Sequence, residues 1–416
     1  ILICIILGVG SFYIGKVNNA FQKITGSNKK TSSMVVAVKA DDNADTLSAA
    51  AGYTFGVQYA TGGDQTKSAV KQIEKELGQN ITLQEYSNLG EEAQALYDGE
   101  VDAIIYNSAY SNIIQEQYST FTKDTKVIYK HNIVVEIESD TSDESVTKPF
   151  AVYLSGIDTD GDITEQGRSD VNIVAVVNPT SHQVLLITTP RDYYVPIPGV
   201  SGGQDDKLTH AGIYGVDVSM QTLEALYDTD IEFFGRVNFT SMISVVDALG
   251  GLDVESDLEF DTGWESGAEI HVNEGMNHFD GISALAFCRE RQALPDGDNG
   301  RGVHQQAVIT AIIKKMMSPA MLRGASDIID SVSDGVDTNF TSSQIQSLIK
   351  TQLRTNAKWN IYSVAADGTG GTDICYSSGA EELYVTYPDE NSVAEISELI
   401  KKVKDGETIE GSVSTE

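Results

Sequence analysis

The fold is decided by three apolar runs: AVYLSGID at 151–158, VNIVAVVN at 171–178 and QVLLITTP at 183–190. Each run is short and rich in Val, Ile and Leu, a composition typical of central strands that are covered on both faces. Helical patterns follow at 218–226, 240–249 and 302–317. This order predicts an α/β domain in which helices flank a central mixed sheet.

A second α/β pattern precedes these strands, at 34–138. The strand-like runs MVVAV, TFGVQY, VDAIIYN and KVIYKHNIVVEI alternate with helical patterns at 66–77 and 91–99. The alternation predicts a smaller α/β accessory domain with a mainly parallel sheet. The stretches GVQYATGGDQTKSAVKQI and LYDGEVDAIIYN resemble a lobe of the solute-binding proteins. Both a rigid accessory domain and a sensor of a ligand or partner fit this resemblance.

The first fifteen residues, ILICIILGVGSFYIG, carry no charge. A membrane span needs about 20 residues, so we expect residues 1–15 to be the C-terminal part of a truncated transmembrane helix. A signal-peptide core and a buried helix are the alternatives. We expect linkers at 16–33 and 139–148, the main domain at 149–405, and a polar tail at 406–416.

Charge and cysteine content limit the class of function. The chain has 61 acidic residues, 28 lysines and arginines, and a formal net charge of −33, which opposes binding to nucleic acid. The three cysteines, Cys4, Cys288 and Cys375, lack the spacing of a zinc or redox motif. Cys288 and Cys375 are expected either to form one disulfide in an extracellular domain or to be two separate buried thiols.

Polar residues lie at the ends of the three apolar runs. Asp158 ends the first run and Asp170 precedes the second, at strand ends where open α/β sheets bind ligands. Two carboxylates that converge there suit a magnesium ion; capping of turns by loop acids is the alternative. Arg191 follows the third run, because Pro190 ends the ladder. Arg191 is expected to bind a phosphate or to pair with Asp192.

A third group lies in AFCRERQALPDGDNGRGVHQQ, at 286–306. If AFCRER is a strand, Arg289 and Arg291 share one face. Arg301 and Gln305 are four residues apart at the start of a helix, so they share a helix face. A helix N-terminus also favours an anion. These residues predict a pyrophosphate site, and a solvated charged strand and turn is the alternative.

The segments GIDTDG, RSDVNIV, PRDYYV, DKLTHA, VNFTSMISVVDALGGLDV, HFDGISALAFCRER and GDNGRGVHQQ occur in this order. Together they resemble the catalytic domain of the LytR-CpsA-Psr family over roughly 150–317. Two positions depart from the family pattern: His210 replaces a common Asn, and Cys288 replaces a small apolar residue.

The resemblance implies a role for individual residues. In that family the domain holds a polyprenyl pyrophosphate lipid. Asp158 and Asp170 would bind magnesium, with manganese as an alternative, and Asp298 would be the general base. Arg191 and Arg289 would be catalytic. The residues implied to bind the pyrophosphate are Arg168, Arg191, Lys207, Arg289, Arg291, Arg301 and Gln305.

The resemblance also implies a function. The chain would be a single-pass membrane protein of a Gram-positive bacterium, with an extracellular catalytic domain. It would be a phosphotransferase that moves a lipid-linked glycopolymer, such as teichoic acid, capsular or another secondary wall polysaccharide, onto peptidoglycan and releases polyprenyl phosphate. The alternatives are a polyprenyl-pyrophosphate hydrolase and a non-enzymatic envelope regulator or solute sensor. No nucleic-acid partner is expected.

Overall fold

The computed structural model describes residues 29–136, 146–157, 163, 166–295, 298–316, 336–355, 357–379, 381–409 and 413–414. The predicted truncated transmembrane helix at 1–15 and the predicted metal ligand Asp158 lie outside these ranges. Every helix within them is too short or too polar to span a membrane.

The strands of the described ranges are β1 (Lys29–Lys39), β2 (Thr54–Gln58), β3 (Thr82–Tyr86), β4 (Ala103–Asn107), β5 (Thr125–Glu136), β6 (Phe150–Ile157), β7 (Ser169–Asn178), β8 (Gln183–Thr188), β9 (Tyr194–Pro196), β10 (Asp205–Lys207), β11 (Phe233–Asn238), β12 (Leu252–Ser256), β13 (Phe260–Asp261), β14 (His271–Val272), β15 (Gly275–Phe279), β16 (Val336–Thr338), β17 (Asn360–Ala365), β18 (Gly368–Ile374), β19 (Glu382–Pro388) and β20 (Val413–Ser414).

The α-helices of the same ranges are α1 (Gly63–Leu77), α2 (Leu89–Asp98), α3 (Ser111–Gln117), α4 (Phe121–Asp124), α5 (Leu208–Tyr214), α6 (Val216–Tyr227), α7 (Phe239–Ala248), α8 (Gly281–Arg289), α9 (Asp298–Met316), α10 (Ser342–Thr355) and α11 (Glu390–Asp405).

The accessory domain has a five-stranded sheet in the order β3-β2-β4-β1-β5. β2 pairs in parallel with β3 and β4, whereas β1 pairs antiparallel with β4 and β5. The prediction of a mainly parallel sheet was therefore wrong, because local hydrophobic patterns do not encode strand direction. β1 begins at Lys29, within the segment that we expected to be a linker at 16–33.

The second sheet has seven strands in the order β16-β11-β6-β7-β8-β17-β20. β7 pairs antiparallel with β6 and β8, while β6 pairs in parallel with β11 and β8 pairs in parallel with β17. This is the predicted central mixed sheet. The carboxyl ends of β6, β8 and β11 and the amino end of β7 meet at one edge, so side chains from distant parts of the sequence come together there.

The strands of this sheet are apolar on both faces, because alternate side chains point to opposite sides. Phe150 and Val152 of β6 pack with α7, α8, α9 and α10 on one face. Ala151 and Tyr153 pack with α6 and α11 on the other. The sheet is thus the middle layer of three, as its apolar runs predicted.

The accessory domain packs against the second domain. Ile213 of α5 is fully buried within the hydrophobic core of the accessory domain. The Lys30 Nζ lies 2.9 Å from the Asp217 Oδ2, and the Gln117 Nε2 donates to the Ser378 carbonyl at 2.9 Å. Apolar burial, an ion pair and a hydrogen bond therefore all hold the two domains together.

Candidate functional site

A cavity of about 430 Å³ lies where the ends of β6, β7 and β11 meet α7, α8 and α9, and we call it the site cavity. Its polar wall contains most of the predicted site residues: Arg168, Asp170, Arg191, Arg289, Arg291, Arg301 and Gln305. Its apolar wall contains Leu154, Val171, Val237, Met242, Leu285, Val308, Ile309, Ile312 and Val336. A cationic wall and an apolar wall in one cavity suit a ligand that is anionic at one end and hydrocarbon at the other.

Arg191 and Asp170 form an ion pair in the cavity wall. The Arg191 Nη1 lies 2.7 Å from the Asp170 Oδ1, and both side chains are largely buried. Thr209 connects the same elements, since its hydroxyl donates to the Asp170 Oδ1 at 3.4 Å and its N–H donates to the Arg191 carbonyl at 2.8 Å. The sequence predicted a site at these strand ends, with an ion pair from Arg191 to Asp192 as the alternative to phosphate binding. Asp192 lies farther away than Asp170, at 3.8 Å from the Arg191 Nε.

Arg289 and Arg291 reach the cavity in a way that the sequence did not predict. AFCRER is not a strand: α8 runs from Gly281 to Arg289. The Asp280 side chain caps this helix by accepting from the Ser283 N–H at 2.8 Å. Arg289 is the last helical residue and Arg291 lies in the following loop. Both still line the cavity because the chain turns there.

Glu290 lies between the two arginines, and its side chain is almost completely buried. Both of its carboxylate oxygens accept hydrogen bonds that stabilise the turn. One carboxylate oxygen accepts from the N–H groups of Arg291, Gln292 and Ala293 at 2.8–3.0 Å. The other accepts from the Gly263 N–H and the Ser266 hydroxyl, both at 2.8 Å.

These hydrogen bonds set the protonation of Glu290. Burial by itself raises the pKa of this carboxyl group, but the hydrogen bonds outweigh it and the pKa lies below the ordinary value. Glu290 is a site residue that was not predicted from the sequence, where its position between Arg289 and Arg291 was the available signal.

Arg301 and Gln305 lie on one side of α9, as their spacing predicted, and both are buried. The Gln305 Nε2 donates to the Cys288 carbonyl at 3.4 Å, which joins α9 to α8. Gly302 allows the start of α9 to approach β8, because a Cβ there would lie 3.0 Å from the Thr188 Cγ2. The first turns of α9 therefore stand directly at the arginine-lined wall.

Three other predicted residues are not among the described residues of the cavity lining. Lys207 is buried with its Nζ 3.5 Å from the Asp192 Oδ1, and it is not among the described residues of the cavity lining. Asp298 begins α9, but its side chain lies outside what the structure describes. Asp158 lies wholly outside the described residues.

Asp170 is the predicted magnesium ligand that lies among the described residues. No group of three or more His, Cys, Asp or Glu side chains suited to a metal occurs in the described part of the chain. Asp170, in the cavity wall, is a hard oxygen donor of the kind that magnesium prefers. Magnesium is commonly held by one or two carboxylates together with phosphate oxygens. Asp170 in an arginine-lined cavity wall would fit that arrangement if the cavity held a phosphate.

Cys288 and Cys375 are both buried, and no disulfide joins them. The disulfide alternative was therefore wrong and the alternative of two buried thiols is confirmed. Burial raises the pKa of the Cys288 thiol to about 12, although the nearby Arg301 acts in the opposite direction. His210, the other departure from the family pattern, is fully buried, and its Nδ1 lies 2.7 Å from the Asp206 Oδ1 and 2.9 Å from the Ser377 Oγ.

The chain matches the model of the LytR_cpsA_psr family over residues 104–402. It is 33% identical over 253 residues to the "polyisoprenyl-teichoic acid--peptidoglycan teichoic acid transferase TagU" of Bacillus cereus strain AH820, covering 61% of this chain and 77% of the relative.

Solved structures agree with this match. The crystal structure of Bacillus subtilis TagV is 25% identical, with a TM-score of 0.51, and covers 63% of this chain and 99% of that one. A structure described as TagT bound to LIIa-WTA is 25% identical, with a TM-score of 0.50, and covers 64% of this chain and 93% of that one.

Proposed function

This chain belongs to the LytR_cpsA_psr family, and on that premise we propose that it is a phosphotransferase of the cell wall. Its donor is a polyprenyl-pyrophosphate-linked glycopolymer and its acceptor is peptidoglycan. The named relative is a teichoic acid transferase, which supports teichoic acid as one class of donor. Capsular and other secondary wall polysaccharides present the same pyrophosphate and belong to the same proposal.

The observation that carries the proposal is the two-sided site cavity. Its polar wall contains five arginines against three acidic residues, in a chain that otherwise has an excess of acidic residues. Guanidinium groups bind phosphate oxygens through paired N–H bonds. Apolar side chains of α8 and α9 that line the same cavity provide a surface for a hydrocarbon tail. A pyrophosphate joined to a polyprenyl chain matches both walls at once.

The proposed reaction has one chemical step. A sugar hydroxyl of peptidoglycan attacks the glycan-side phosphorus, the bond from that phosphorus to the bridging oxygen breaks, and polyprenyl phosphate leaves. Arg191, Arg289 and Arg301 stabilise the charge that develops on the phosphoryl oxygens. Asp298, as the general base, takes the hydroxyl proton.

A magnesium ion, or manganese in its place, supplies further neutralisation of the phosphate charge when it is bound. Asp170 is the ligand that lies in the described wall, and Asp158 is the second ligand of the proposal. The ion pair from Arg191 to Asp170 orients that carboxylate beside the phosphate site. We further propose that residues 1–15 belong to a membrane anchor and that the folded domains lie outside the membrane of a Gram-positive cell.

A transfer assay tests the proposal. Purified protein is given a lipid-linked glycopolymer, a peptidoglycan acceptor and magnesium, and the products are separated by mass. We expect glycan joined to the acceptor by a phosphodiester, together with polyprenyl phosphate. The proposal fails if the intact protein gives no product, or if Arg191→Ala combined with Arg289→Ala keeps full activity.

Hydrolysis is the second candidate, because water can take the place of the sugar hydroxyl in the same site. Omission of the acceptor separates the two activities. A transferase forms little product without acceptor, whereas a hydrolase releases polyprenyl phosphate and glycan phosphate at the same rate with and without it.

A further inference from the structure

An exposed tryptophan stands at the rim of the site cavity. The relative exposure of Trp264 is 76%, the highest among the exposed large hydrophobic residues of the described chain. Its two neighbours in sequence, Gly263 and Glu265, both line the cavity. A large indole ring at this place is therefore open to solvent and within reach of a molecule that extends out of the cavity.

The backbone that carries Trp264 is held firmly in place. Residues Trp264–Ser266 form a 3₁₀ turn, and Gly263 and Ser266 on either side of the indole both donate to the buried Glu290 carboxylate at 2.8 Å. The Gln292 Nε2 donates to the Glu265 carboxylate. The turn is thus fastened to the segment that carries Arg289 and Arg291, and the backbone of Trp264 keeps a fixed position relative to these arginines.

The segment that carries Trp264 is strongly acidic. Between residues 253 and 274 there are eight acidic residues and no lysine or arginine. All eight are exposed: Asp253, Glu255, Asp257, Glu259, Asp261, Glu265, Glu269 and Glu274. Such a surface repels anionic phospholipids and the phosphate groups of an anionic polymer. It suits an uncharged sugar, whose hydroxyls donate to carboxylates and whose apolar ring face packs on an aromatic ring.

We propose that Trp264, with Glu265 and Gln292, forms a subsite for an uncharged sugar ring of the acceptor glycan. The subsite places an acceptor hydroxyl at the phosphate end of the cavity, next to Arg289 and Arg291. This inference rests on the proposed transferase function, because it assigns the acceptor of that reaction. Trp264 acts here as a specificity and positioning residue for the acceptor, while the arginines act on the donor.

Tryptophan fluorescence tests the binding without any turnover. The chain has two tryptophans, and Trp359 is buried, so a change on addition of an uncharged N-acetylglucosamine oligosaccharide reports on Trp264. We expect saturable quenching or a blue shift in the intact protein and none in Trp264→Phe, which keeps Trp359 as an internal reference. No change in the intact protein, or an equal change in both, overturns the subsite.

Vesicles of phosphatidylglycerol and phosphatidylethanolamine form a second arm of this experiment. We expect them to leave the emission of Trp264 unchanged, because the surrounding surface is acidic. A blue shift with vesicles but not with the oligosaccharide assigns the residue to a membrane surface and overturns the proposal.

Kinetics then separate this inference from the proposed function. For Trp264→Ala we expect the KM for the acceptor to rise roughly tenfold, in line with the loss of one buried aromatic contact, and the KM for the donor to stay unchanged. Trp264→Tyr should restore most of the affinity. If transfer occurs and the acceptor KM is unaffected, the subsite is wrong and the function stands. If the intact protein shows no transfer, the function is wrong even if the oligosaccharide binds.

Discussion

Arg191 and Arg236 are both buried arginines that pair with an aspartate, but they have different roles. Arg191 lines the site cavity beside Asp170. Arg236 lies within the sheet, where its Nη2 bonds the Ile163 carbonyl and lies 3.2 Å from the Asp337 Oδ2. Arg191 could be identified from the sequence because it follows a predicted strand. Arg236 lies inside FFGRVN, and no sequence signal indicated its partner Asp337, 101 residues away.

The two arginines make a matched pair of variants. Arg191→Ala should lower kcat/KM for transfer by about 10²–10³, as expected when one donor to a developing oxyanion is removed. It should lower the free energy of unfolding by less than Arg236→Ala does, because Asp170 is more exposed than Asp337. Arg236→Ala leaves Asp337 buried without its cation and should lower the free energy of unfolding by about 3 kcal/mol. Steady-state kinetics and urea unfolding measure the two effects. Unchanged kinetics in Arg191→Ala would place this residue outside the chemistry.

At the scale of elements, α8 is a helix in a segment whose sequence pattern favoured a strand. The R-x-R alternation favoured a strand because it was judged from the six residues of AFCRER alone. The helix begins upstream, after its N-terminal cap Asp280. It ends where the Glu290 carboxylate accepts hydrogen bonds from three successive backbone N–H groups. A short apolar run does not distinguish a strand from a buried helix. The cap at Asp280 was the local signal that would have settled it.

The central strands were predictable because burial on both faces leaves a continuous apolar run. The three quoted runs correspond to β6, β7 and β8. The positions of Arg191 and Asp170 at strand ends were predictable from the same pattern. The ion pair between them was not, because it depends on the register of β7 against β8, which no local pattern gives.

Glu290→Gln should loosen the link between α8 and the turn at Trp264. The free energy of unfolding at pH 7 should fall by about 2 kcal/mol, because a neutral amide accepts hydrogen bonds less strongly than a buried carboxylate.

The effect should depend on pH in one direction. The folded pKa of Glu290 lies below its ordinary value of 4.5, so its contribution to stability is present above that value and is lost as the pH falls through the folded pKa. Thermal unfolding from pH 3 to pH 7 measures it: the difference between wild type and variant should shrink in acid. A difference that grows in acid would contradict the account.

At the scale of the whole molecule, the accessory domain and the second domain pack against each other through one interface. Ile213 of α5 lies in the accessory core, and the ring centroids of Tyr110 and Tyr214 lie 6.0 Å apart across the boundary. Deep insertion of one domain's side chain into the other's core favours unfolding of the two domains together. This packing also supports the reading of the accessory domain as rigid rather than hinged.

Ile213→Ala tests that coupling. The change should cost about 3 kcal/mol, as for other buried isoleucine truncations, and should split the single calorimetric transition of the wild type into two. Ile400→Ala is the matched control, because Ile400 is equally buried but lies in the core between the second sheet and α11. It should shift the transition to lower temperature without splitting it. Two transitions in the wild type would show that the domains are independent.

The account as a whole depends on a polyprenyl pyrophosphate occupying the site cavity. Native mass spectrometry of the protein mixed with this lipid tests that most directly, with polyprenyl alcohol and inorganic pyrophosphate as separate controls. We predict a stable complex with the intact lipid, weaker binding of either control, and loss of the complex in Arg289→Ala combined with Arg301→Ala. A protein that fails to bind the lipid, or a double variant that binds it as tightly as the wild type, would contradict the account.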